Sequence, residues 1–157
     1  MKNEDISSLF SFTEIELVYR NKKKARDRPI VKTSHEAFDI LIQCWDMNKI
    51  ELLEQFKILL LDRKNACIGI SEISTGGVSS CIVDPKIVFS TALKAMASGI
   101  ILAHNHPSGS TAPSKSDEEL TKKLANAGDL LEIKVLDHLI VTPTSYKSFA
   151  DEGLLPL

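Results

Sequence analysis

The segment GIILAHNHP, running from Gly99 to Pro107, narrows the possible folds more than any other part of the chain. Residues 100–103 form a continuous apolar run between Gly99 and His104. The run is too short for a helix face, and no polar residue alternates through it. It therefore reads as a strand buried on both faces. Such a strand needs a layer above and a layer below, which predicts a mixed α/β domain with helices flanking a sheet. The 157 residues, 43% of them hydrophobic, are enough for one domain with a sizeable core.

Local patterns supply the layers. Residues 33–46 read as a helix. Thr33 and Glu36 make a capping-box pair, and Phe38, Leu41, Ile42 and Trp45 recur at helical spacing. Residues 56–61 (FKILLL) and 67–73 read as strands joined by the DRKN turn, and residues 80–83 as a third short strand beyond the turn at Thr75-Gly76-Gly77. Asp84 caps a helix that Pro85 opens, with Ile87, Val88, Ala92 and Ala95 inward and Gly99 as its stop. Ser114 or Ser116 starts another helix, which Gly128 terminates after about residue 127; Leu120, Leu124 and Ala127 mark its inner face. Residues 133–136 and 138–141 read as final strands joined through Asp137.

Residues 1–30 are expected to be an N-terminal extension and 31–157 the domain. In the extension Phe10, Phe12, Ile15, Leu17 and Val18 suggest one short strand. The basic run of Lys22, Lys23, Lys24, Arg26 and Arg28 reads as a solvated loop rather than a phosphate-binding arm. A net charge of −2 gives no global pull towards nucleic acid. Cys44, Cys67 and Cys81 are scattered and odd in number, which is no disulfide framework. With no signal-peptide pattern and no apolar run near the ~18 residues of a membrane span, a cytoplasmic protein with no membrane association is expected.

The chemistry gathers where the apolar run ends. In extended chain, His104 and His106 point to one side and Asn105 to the other. A catalytic zinc site uses three protein ligands and an open fourth position. Asp117 lies three residues before Leu120 and seven before Leu124, on the inward stripe of its helix. A carboxylate there is costly unless it is paired or metal-bound. Taken singly, the histidines also fit a polar surface loop, and Asp117 a helix N-terminal acid.

His104, His106, Ser114 and Asp117 together spell H-x-H, seven residues, Ser, two residues, Asp. This pattern resembles the JAMM (MPN/JAB) metalloproteases. The longer run HNHPSG, with DPKIVFSTALKAMASGIIL before it and VLDHLIV after it, is similar to the RadC-like branch of that superfamily over residues 34–157. The resemblance implies a three-layer domain with a curved β-sheet flanked by helices. It also implies one zinc ion per chain, held by His104, His106, Asp117 and a water. Glu54 matches the family's proton-accepting glutamate, with Glu51 and Glu72 as neighbours for the same role. Ser114 matches the serine that stabilises an oxyanion, and it equally suits a helix N-cap.

The implied function is a zinc-dependent metallohydrolase that cuts an amide or isopeptide bond in a protein or peptide. The alternative is a non-enzymatic zinc module of DNA repair or mobile-element maintenance. Longer RadC-type proteins carry a helix-hairpin-helix region, whose turn needs glycine. The first glycine here is Gly69, so that module and strong direct DNA binding are not expected. An HNH nuclease does not fit, because its three residues are dispersed over a hairpin rather than contiguous. His138 is expected to be a satisfied structural histidine.

Overall fold

Thr33 is extended, its side chain accepts from Glu36 N–H, and the Glu36 carboxylate accepts from Thr33 N–H. This capping box opens α1 (Ser34–Gln43), in a computed structural model that describes residues 13, 15–18 and 20–156. The helix is shorter than its apolar spacing suggests: Cys44 is the C-cap, and Trp45 is buried beyond it.

Five strands form one mixed sheet in the order β2-β1-β3-β4-β5. They are β1 (Gln55–Leu61), β2 (Cys67–Thr75), β3 (Gly99–Asn105), β4 (Lys134–Val141) and β5 (Tyr146–Ser148). β1 runs antiparallel to both β2 and β3, β3 and β4 are parallel, and β4 and β5 are antiparallel. The parallel pair needs a crossover, and α3 (Lys115–Leu130) provides it. α2 (Pro85–Lys94) begins as expected, with Asp84 accepting from Lys86 N–H and Pro85 in the first turn.

Alternation along β1 and β3 sends side chains into two cores. Phe56, Ile58, Leu60, Ile100 and Leu102 pack with Val88, Phe89 and Ala92 of α2 and Leu124 of α3. Leu59, Leu61, Ile101 and Ala103 pack on the other side with Ala37, Phe38 and Leu41 of α1. Every residue of β1 and β3 is buried, so the apolar run is covered on both faces and the layers are helix, sheet, helix.

The structure corrects several local expectations. Residues 80–83 form no strand: Cys81 and Val83 rest against the α2/α3 core while Ile82 is 90% exposed, so the alternation reflects one-sided packing of a loop. Asp137 does not divide two strands. Its buried carboxylate accepts from Ser148 Oγ and from the N–H groups of His138 and Ala150, and β4 passes through it. β5 is a three-residue strand too short for any periodic pattern to announce. Gly99 starts β3 rather than stopping α2, and Gly128 lies inside α3, where a Cβ would meet the Ile133 carbonyl oxygen at 2.3 Å. Phe10 and Phe12 lie outside the described residues; Ile15, Leu17 and Val18 are exposed and in no strand. Lys22, Lys23, Lys24 and Arg26 are exposed, and Arg28 pairs with Asp62 at 3.4 Å. Among the described residues no helix is long and apolar enough to cross a membrane.

Candidate metal centre

β3 carries Ile100, Leu102 and then His104 towards the α2/α3 side of the sheet, so the apolar residues that fix the strand also fix the first imidazole. Phe56 of β1 stacks on the His104 ring, with centroids 6.2 Å apart. His106 follows just beyond the strand. The N-terminus of α3 closes over both histidines through a second capping box. Ser114 Oγ accepts from Asp117 N–H, and Asp117 Oδ2 accepts from Ser114 N–H at 2.8 Å. Holding Asp117 this way aims its carboxylate at the strand end.

Three donor side chains meet there. His104 Nε2 and His106 Nε2 are 2.9 Å apart, and Asp117 oxygens lie 3.2 Å from the first and 3.3 Å from the second. Ligands about 2.0–2.1 Å from a tetrahedral zinc sit roughly 3.3 Å from one another. The donor types and their close spacing therefore suit a single metal ion. The side chains of His104, His106 and Asp117 are 3%, 17% and 15% exposed, so the cluster is sheltered but open on one side. The backbone oxygen of Ser110 lies 2.9 Å from His106 Nδ1, and it can only accept. It holds the proton on Nδ1 and leaves Nε2 free to coordinate.

Glu54 arrives from a different element. The β1–β3 register pairs Phe56 with His104 and Lys57 with Ala103. Continuing that antiparallel register two residues upstream sets Glu54 opposite His106. One Glu54 oxygen and one nitrogen from each of His104 and His106 lie within 4.8 Å of one another. Glu54 is 9% exposed, and its backbone is pinned by bonds to Gly76 and Gly77. Glu51 is exposed at the rim. Glu72 faces the opposite side of the sheet, where it binds Gln55 and Thr75 and lies 3.9 Å from Lys57 Nζ. Of the three glutamates considered from sequence, only Glu54 joins the cluster.

Asn105 was assigned no role beyond pointing away, yet it positions Glu54. Fully buried, it donates to the backbone oxygens of Ile50 and Leu53 and accepts from Gln55 N–H. These bonds clamp the segment that presents Glu54. The available signal was an amide on the covered face of a buried strand, which must find partners. Two further fully buried groups, His138 against His104 and Thr121 against His138, also lie behind the site.

The cleft over the cluster has a volume of about 180 Å³, and Glu54, Phe56, Cys81, His104, Ser114 and Asp117 are among its lining residues. A larger hollow of about 460 Å³ around Asp62, Arg63 and Lys134 contains no histidine or cysteine. Burial alone would raise the Asp117 carboxyl, but His104 and His106, which hydrogen-bond to it when their metal-facing nitrogens carry a proton, hold it far below the usual carboxylate range. The bond to Asp117 raises His106 above its ordinary value against the pull of burial. Burial, with His104 beside it, keeps His138 well below its ordinary value and therefore neutral. Burial pushes the Cys81 thiol up to about 11, so it stays protonated at neutral pH.

The family model described as the RadC-like JAB domain matches residues 31–154. A UPF0758 protein of Flavobacterium johnsoniae is 48% identical over 101 residues, which are 64% of this chain and 44% of the relative. One from Caldanaerobacter subterraneus subsp. tengcongensis is 51% identical over 100 residues, 64% of this chain and 43% of the relative. One from Desulforudis audaxviator is 39% identical over 127 residues, 81% of this chain and 54% of the relative. The chain spans about half the length, or less, of these curated relatives. A match over most of the described domain, carried by these relatives, places the chain in the RadC-like JAB domain family.

Proposed function

We propose that the chain is a zinc-dependent metallohydrolase that cleaves an amide or isopeptide bond in a protein or peptide, with residues 31–157 as its catalytic domain. The observation that carries this reading is the division of labour at the strand end. His104, His106 and Asp117 lie 2.9–3.3 Å apart there and the buried Glu54 carboxylate stands beside the two histidines, which supports a reading in which the first three would hold the ion and Glu54 would serve as the base. His104, His106 and Asp117 would hold zinc, which would supply Lewis acidity and make a water more acidic, towards a pKa of about 7.

The protein groups then have distinct tasks. Glu54 accepts the proton of the attacking water and returns it to the leaving nitrogen. Ser114 Oγ already accepts from Asp117 N–H, so its hydroxyl proton is free to donate to the carbonyl oxygen as charge develops. The histidines and the Ser114 N–H around Asp117 hold its carboxyl far below the usual carboxylate range, so it is an anionic donor near neutral pH.

The test is hydrolysis of a panel of peptides and isopeptide-linked conjugates by zinc-loaded protein. Glu54→Gln is expected to retain zinc and to lose at least about 100-fold in rate. Hydrolysis that survives in Glu54→Gln, or a fully zinc-loaded wild type inert on every amide and isopeptide offered, overturns the reading.

A further inference from the structure

A line of buried polar groups runs from His104 away from the cleft. His104 Nδ1 lies 2.8 Å from His138 Nε2, and His138 Nδ1 lies 2.6 Å from Thr121 Oγ1. Thr121 Oγ1 donates to the backbone oxygen of Asp117 at 2.7 Å. His138 and Thr121 are fully buried, and the His138 ring stacks on Phe149 and meets Phe56 edge-on.

The far end of this line sets its direction. A carbonyl oxygen only accepts, so the single hydroxyl proton of Thr121 goes to Asp117, and the hydroxyl oxygen is left to accept from His138 Nδ1–H. His138 Nε2 then carries a lone pair and accepts from His104 Nδ1–H. The proton of His104 is committed there, and its Nε2 faces Asp117 and His106 bare.

We propose that Thr121 and His138 are positioning residues that fix the tautomer of His104 and so keep its Nε2 available as a metal donor; this rests on the zinc reading above. Partners of this kind orient metal-bound histidines and raise their basicity. Asp117 serves both ends, with its carboxylate among the donors and its main-chain oxygen closing the relay. The parallel β3–β4 pairing builds the link, because it sets His138 beside Leu102, two residues from His104. His106 needs no relay, since Ser110 supplies a carbonyl directly.

Thr121→Val keeps the shape and removes the acceptor. His138 is then satisfied only by moving its proton to Nε2 and donating to His104, which forces the His104 proton onto the metal-facing nitrogen. Long-range proton–nitrogen NMR of histidine-labelled, metal-free protein at mildly alkaline pH reads these tautomers. Competition with a chromophoric chelator reads zinc affinity. Wild type is expected to show Nδ1–H on His104 and His138. Thr121→Val is expected to invert both and to bind zinc about 10–100-fold more weakly, with Thr121→Ser restoring affinity.

His138→Gln, whose amide can both accept and donate, is expected to retain affinity, and His138→Leu to lose it. This pair serves if Thr121→Val does not fold. Nε2–H on His104 in the wild type, or wild-type zinc affinity in Thr121→Val or His138→Leu, overturns the proposal. A wild type that takes up no zinc overturns the metal reading itself, and the His104 tautomer then still decides the relay.

Discussion

Asn105 and its two histidine neighbours show how much one strand end can hold. The histidines face the cleft, and the asparagine ties down the loop that brings Glu54 to it. Asn105→Ala leaves two carbonyls and one N–H buried without partners, at about 1–3 kcal/mol for each group that water does not reach. Denaturant melts are expected to show a loss of about 2–4 kcal/mol. On the proposed function, the same variant is expected to keep zinc and lose hydrolysis, because the donors stay and Glu54 drifts. Equal loss of both would contradict the clamp. The donors were legible in the sequence, since strand alternation pairs His104 with His106 and helical spacing turns Asp117 inward. Glu54 was not legible from spacing. Its place depends on the β1–β3 register, a contact across about fifty residues of chain that no local pattern encodes.

Helices and strands were readable where their signals were local. The capping box at Thr33 and the Asp84-Pro85 start are as expected. Helix ends were harder, because the two glycines chosen as stops serve close packing instead. Both helices end with the left-handed residue one would assign to glycine, filled by Met96 at φ 55° and Glu132 at φ 56°. In each, the two N–H groups that follow bond back into the last turn: Met96 to Leu93 and Ala97 to Ala92, Glu132 to Asp129 and Ile133 to Gly128. Met96→Gly and Glu132→Gly are therefore each expected to stabilise the fold by about 0.5–1 kcal/mol, read as a melting point roughly 1–4 °C higher. Gly128→Ala is expected to cost about 1–3 kcal/mol, since the new methyl meets the Ile133 carbonyl. Calorimetry of the three variants separates conformational strain from packing.

At the scale of the molecule, the layered architecture follows from one buried strand, and the sheet order does not. Placing β1 between β2 and β3 depends on long-range pairing, which composition and periodicity leave open. The net charge of −2 is also silent about the centre, where local fields dominate. Those fields set a pH dependence. His106 has its affinity for a proton raised by Asp117, and proton and zinc compete for the same Nε2. As the pH falls through the raised His106 value, zinc affinity is expected to fall by at least about tenfold per pH unit. Asp117, held far below the usual carboxylate range, adds no proton competition near neutrality. Affinity that rises as the pH falls would contradict this assignment.

The central claim is the three-donor centre, and elemental analysis of metal-depleted, zinc-refilled protein tests it most directly. The account predicts about one tightly held zinc per chain in wild type and Glu54→Gln, and loss of that zinc in His104→Ala, His106→Ala and Asp117→Ala. Wild type that takes up no zinc, or zinc retained in full when His104 or Asp117 is removed, would contradict it.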